Sequence, residues 1–241
     1  MVLLKRICPP ERRKAVVVVS SSPSRSTLSI TKDSTLQLVI SLRITSTTQP
    51  GQPITISTNG TVFAQSAPDS TVDTIARGSA YLVSSINQHR RINLGNFRTN
   101  DLSGHSGAES QSADLKQRLP PRLLTIPAEG EVKVTHDLSL SRIFQHEQVL
   151  KPQDVVGEEW RLGIQSGYVG TTWWCWGDLD GDLRDKKLSG WHEGMRSGNG
   201  VQKPSESELD SGEWVVGCDP VELVFENQKS DATFRFVERG T

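Results

Sequence analysis

The chain has 241 residues, with 27 basic against 28 acidic side chains and a formal net charge of −1. A hydrophobic share of 34% is low for a packed domain, so part of the chain adds little to any core. Near-neutral charge argues against a nucleic-acid partner, which needs clustered Lys and Arg, and the absence of any apolar run of ~18 residues argues against a membrane.

Residues 1–26 run from basic (Arg12, Arg13, Lys14) through β-branched (Val16 to Val19) to Ser- and Pro-rich, and read as an N-terminal tail in which Val16 to Val19 form either an edge strand or a sticky stretch of that tail. Lys5 and Arg6 interrupt the first apolar residues, so no secretory signal is expected. The cysteines Cys8, Cys175 and Cys218 form a sparse, odd set without a CxxC. That usage points to a reducing compartment, the cytoplasm, and leaves a Cys175–Cys218 bridge open.

Leu36, Leu38, Ile40, Leu42 and Ile44 alternate with other residues at period 2, which predicts a strand with one buried face. Ile54 and Ile56 follow, then Asn59-Gly60, then Val62-Phe63. Asn-Gly between two β-rich runs predicts a hairpin, and the sequon Asn59-Gly60-Thr61 is read as that turn, not as a glycan site. Short strands are expected at 81–86 and 92–97. The polar, aperiodic stretch 99–117 reads as a disordered loop inserted into a single domain spanning 27–241. Strands are expected at 123–126 and 132–140, then a helix over 141–150 that ends before Pro152. Extended chain resumes at 160–164 and 168–176. Residues 177–212 are polar with little period, and Trp214 to Val216, Leu223 with Phe225, and Phe234 with Phe236 mark the last strands. About eight to ten short strands predict an all-β, antiparallel sandwich, of which the immunoglobulin-like arrangement is one form, with long polar loops and one short helix.

The candidate site is the segment Trp173-Trp174-Cys175-Trp176 with Asp178, Asp180 and Asp182 just after it, and Trp191-His192 beyond. On a strand, Trp174 and Trp176 share one face and Trp173 shares the other with Cys175. These rings are either core anchors or an aromatic platform for a glycan or small molecule, with carboxylates beside it as hydrogen-bond partners. The platform requires at least two exposed, coplanar rings. An EF-hand fails on spacing: with Gly181 at the invariant glycine, the first and last ligand positions hold Trp176 and Lys187. An oxygen cage from Asp178, Asp180, Asp182 and Asp185 is the remaining cation reading, and no metal or cofactor is expected. His136, within an apolar alternation, reads as a satisfied, half-buried residue. No nucleophile elbow, zinc motif, Walker loop or dinucleotide fingerprint occurs, so no catalytic residue is assigned.

Several runs resemble those of small intracellular β-sandwich proteins of filamentous fungi: Thr125-Ile126-Pro127-Ala128-Glu129-Gly130, Thr135-His136-Asp137-Leu138-Ser139, Gly167-Tyr168-Val169-Gly170-Thr171-Thr172-Trp173-Trp174 and Gln52-Pro53-Ile54-Thr55-Ile56. The resemblance covers about half the chain. It implies the fold and the host, and it brings no functional residue. The expectation is a non-enzymatic module that binds a protein or peptide through loops. A glycan- or small-molecule-binding module is the second reading, and an enzyme joining loop carboxylates to His192 or His146 the third.

Overall fold

The computed structural model describes residues 8–31, 34–65, 73–96, 112–118, 122–195, 201–228 and 233–238. The chain is mostly β. Its strands are β1 (Ala15–Pro23), β2 (Thr27–Ser29), β3 (Thr35–Thr47), β4 (Ile54–Ser57), β5 (Ala80–Ser84), β6 (Arg91–Asn93) and β7 (Leu123–Ile126). They continue with β8 (Val132–Ser139), β9 (Glu159–Ile164), β10 (Trp174–Trp176), β11 (Lys187–His192), β12 (Trp214–Gly217), β13 (Leu223–Asn227) and β14 (Thr233–Val237). Two short helices, α1 (Leu140–Phe144) and α2 (Glu206–Asp210), replace the single longer helix expected from the sequence. Helix α1 stops well before Pro152, so proline does not set its end.

The strands form a four-stranded sheet in the order β13-β1-β3-β8 and a five-stranded sheet in the order β2-β14-β9-β5-β6. A three-stranded sheet, β10-β4-β7, and the pair β11-β12 complete the set among the described residues. Period-2 patterning does what it predicts in β3, where Leu36, Leu38, Ile40 and Leu42 are buried. Their side chains meet Trp160 and Leu162 of β9, Leu82 of β5, and Phe234 and Phe236 of β14 in one hydrophobic core. Fully burying an aliphatic or aromatic side chain of this kind contributes roughly 1.5–3 kcal/mol, so this core dominates the favourable side of folding.

Several expectations need correction. Residues 15–23, read as part of a tail, form an inner strand of the four-stranded sheet, with Ala15, Val17 and Val19 in the core. The sheets are not wholly antiparallel: β1 pairs with β13, β14 with β2, and β11 with β12 in parallel. The Asn59-Gly60 turn is made, but no hairpin follows it. Strand β4 pairs with β7 and β10 instead. The reason lies beyond the turn, where Val62 and Phe63 drop into the core, Phe63 stacking on Phe225 at 5.6 Å. The Val62 carbonyl accepts from His136 Nε2 at 2.8 Å, which removes it from any ladder. Most of the loop expected over 99–117 lies outside the described residues, but 112–118 is packed, with a 3-10 turn at Leu115–Gln117 capped by Asp114.

Candidate functional site

The three-stranded sheet β10-β4-β7 is buried on both faces, and the tryptophan segment is part of it. On one side Ile54, Ile56, Ile126 and Trp174 join the main core. On the other, Trp173 and Cys175 join a second cluster with Leu183 and Leu188. Adjacent tryptophans therefore point into two different hydrophobic clusters, as alternation along extended chain requires. Thr55, wholly buried between Cys175 and Thr125 in register, donates its hydroxyl to the Gly177 carbonyl at 2.8 Å.

The indole N–H groups of Trp173 and Trp174 are committed to backbone. Trp174 Nε1 donates to the Asp219 carbonyl at 2.9 Å, and Trp173 Nε1 to the Trp191 carbonyl at 3.3 Å. Trp176 is half-buried and meets Trp174 edge-on, with ring centroids 5.2 Å apart and planes at 77°. Two exposed, coplanar rings are thus not provided by Trp173, Trp174 and Trp176. Trp191, half-buried, carries the Lys203 ammonium over its ring at 5.0 Å. His192 Nδ1 donates to the Glu193 carbonyl at 2.6 Å, which fixes the proton on that nitrogen in the neutral ring.

Asp178, Asp180 and Asp182 build a self-capped turn. The Asp182 carboxylate accepts the Asp178 N–H at 2.7 Å, and the Asp178 carboxylate accepts the Asp180 N–H at 3.0 Å. The Asp178 carbonyl takes the Gly181 and Leu183 amides at 3.1 and 2.9 Å. Gly177 makes this possible: its φ is +120°, and a Cβ there would lie 2.7 Å from Leu183 Cγ and 2.9 Å from Asp182 Oδ2. Asp180 and Asp185 are exposed. Among the described residues, no three or more His, Cys, Asp or Glu side chains converge as a metal would need, so the oxygen cage does not form there.

Sequence reading missed two supports of this region. Asp114, buried at 5% exposure, accepts the Leu188 and Lys116 amides at 2.9 and 3.1 Å and bridges to Ser189. Lys116 donates its ammonium to the Leu183 and Arg184 carbonyls at 2.9 and 2.7 Å, clamping the far end of the aspartate turn. A cap residue followed by a short basic turn (Asp114-Leu115-Lys116) was the available signal, hidden in a polar stretch. The second support is the N-terminal basic run. Lys14 pairs with Glu222 at 2.8 Å and Glu193 at 3.2 Å, and Arg12 with Asp219 at 3.1 Å. Burial works against the Lys14 charge, but the bonds from Glu222 and Glu193 outweigh it and hold the ammonium above its usual range.

Several further chemistry-bearing groups are also employed in folding. Cys175 and Cys218 are both free thiols. Cys218 bridges directly opposite Trp174 and packs on the main core, whereas Cys175 lies in the second cluster, so the two side chains take opposite faces. Burial pushes the Cys218 thiol up to about 11 despite the nearby Lys14, and pushes Cys175 up as well. Both therefore stay protonated and poorly nucleophilic at neutral pH. Glu158 is held by Arg90 at 2.6 Å and by the Ser84 hydroxyl, and Asp73 by Arg142. A shallow hollow of about 300 Å³ lies elsewhere, on the outer face of the four-stranded sheet between Val18, Ser20, Ser41, Arg43 and Glu131. No helix among the described residues is long and apolar enough to cross a membrane. No protein-family model matches the chain, and no curated protein matches it.

Proposed function

We propose that this protein is a non-enzymatic, immunoglobulin-like β-sandwich module that binds a protein or peptide through loops at one end. The observation that carries the reading is a pair of exposed apolar side chains on two loops that are tied together. Ile86, in the turn after β5, and Val149, in the segment after α1, are 80% and 81% exposed. Arg90 joins their loops, donating to the Asp154 carbonyl at 3.2 Å and to Glu158 at 2.6 Å. Large apolar side chains held open on a fixed loop framework are suited to anchor a partner. The sandwich form is supported by the single core that the four- and five-stranded sheets share. A cytoplasmic setting is supported by three unpaired thiols, and the fungal resemblance agrees with it.

The glycan-platform reading has less support, because the two most central rings are buried and Trp176 stands edge-on to one of them. The binding surface is tested by panning a random-peptide phage library on the wild-type protein and on Ile86→Asp/Val149→Asp. The reading expects an enriched consensus with apolar anchors, lost on the double variant while the thermal midpoint holds. Failure to enrich any consensus, or equal binding by the variant, would overturn it.

A further inference from the structure

We infer that the edge strand β8 is a self-complementary docking edge, through which two copies of this chain pair antiparallel about Thr135. Strand β8 closes one end of the four-stranded sheet, and among the described residues its only strand neighbour is β3. The ladder register pairs Leu36 with Leu138, Leu38 with His136 and Ile40 with Val134. Just beyond it the Leu140 N–H donates to the Ser34 carbonyl at 3.2 Å. Antiparallel bonding alternates, so the even residues of β8 turn their backbone groups towards β3. Lys133, Thr135 and Asp137 therefore turn theirs to the open edge. Among the described residues nothing bonds the N–H or C=O of Lys133 or Thr135 there; the Asp137 carbonyl accepts Arg142 Nη1 at 3.0 Å and keeps a second lone pair.

A two-fold axis at Thr135 sets Thr135 against the partner's Thr135, and Lys133 against the partner's Asp137. All three residues carry outward-facing backbone groups, so each opposed pair is one that exchanges both main-chain hydrogen bonds. The side chains of Lys133 and Asp137 are exposed on the sheet's outer face. In this register each ammonium faces a carboxylate, twice over by symmetry. Charges on an edge strand usually guard it against pairing. Here they have opposite sign and sit equally far from Thr135. Within the chain Lys133 pairs with Glu131 at 2.8 Å and Asp137 accepts Gln37 Nε2 at 2.9 Å, and self-pairing in this register adds an opposite charge to each, which a two-residue slip does not. The result is one continuous eight-stranded sheet across two copies. The contact is small against the ~1,200–2,000 Å² of stable interfaces, so the dimer forms with a concentration dependence readable at micromolar levels.

Sedimentation velocity over a concentration series of the full chain tests this, with Lys133→Asp, Asp137→Lys, the charge-swapped double variant and Thr135→Pro. Each single reversal puts like charges opposite each other twice and should weaken dimerisation by about tenfold. The double variant should recover it to within about threefold. Thr135→Pro removes an outward N–H without touching the β3 ladder and should leave a monomer with a near-native thermal midpoint. If that variant does not fold, the charge series decides alone. A wild-type monomer at every concentration, or single reversals that dimerise like wild type, would overturn the inference.

Discussion

His136 shows how a residue with catalytic chemistry becomes a folding residue. It is 1% exposed on the inner face of β8, with Nε2–H donated to the Val62 carbonyl and Nδ1 without a partner among the described residues. Burial holds its pKa below the usual 6.5, and Arg142 adds to that, while the Val62 bond, Asp73 and Asp137 pull the other way without reversing it. The unfolded chain therefore takes up this proton first as pH falls, which draws the equilibrium towards unfolding. Stability from neutral His136 is complete above pH about 6.5 and is lost as pH falls through the folded-state value. His136→Gln keeps a donor for Val62 and removes the titration. Thermal melts between pH 7.5 and 5 should show a shallower loss for this variant than for wild type, and equal slopes would remove His136 from the account. The histidine's apolar surroundings were legible in the sequence as a half-buried residue. Its partner was not, because Val62 was expected in a hairpin strand.

Among the elements, the short sheet β10-β4-β7 does the work that the sequence left open. Its tryptophans were read as either core or platform, and alternation correctly separated Trp173 from Trp174. What periodicity could not reveal is that both faces of this sheet are covered, since three residues of β10 carry too few positions to distinguish one buried face from two. Trp174 is wholly buried and Trp176 half-buried. Trp174→Ala should therefore cost about 3–5 kcal/mol in denaturant-monitored unfolding, and Trp176→Ala clearly less; equal effects would contradict the two environments. Strand β1 was misplaced for a related reason. Four valines followed by serines resemble a sticky tail; the strand pairs antiparallel with β3, and the distant β13, parallel to it on the other side, is what makes it an inner strand. A parallel contact with the far end of the chain leaves no local trace.

For the molecule as a whole, the four- and five-stranded sheets and one face of β10-β4-β7 share one core, and a smaller cluster under residues 112–118 and β11-β12 props the aspartate turn against it. Strand-rich character and most strand positions were legible because period-2 patterning is local. Pairing was not, because it depends on which distant strands meet. Trp173 and Trp174 point into two different hydrophobic clusters, and the proposed binding falls to the loops that carry Ile86 and Val149. The measurement that tests this most directly is hydrogen exchange of the indole N–H signals by NMR, repeated with Ca²⁺ and a glycan panel. The account predicts slow exchange for Trp173 and Trp174, with shifts unmoved by either addition. Fast exchange at both rings, or shifts that follow an added glycan or Ca²⁺, would contradict it and return the segment to the role of a binding site.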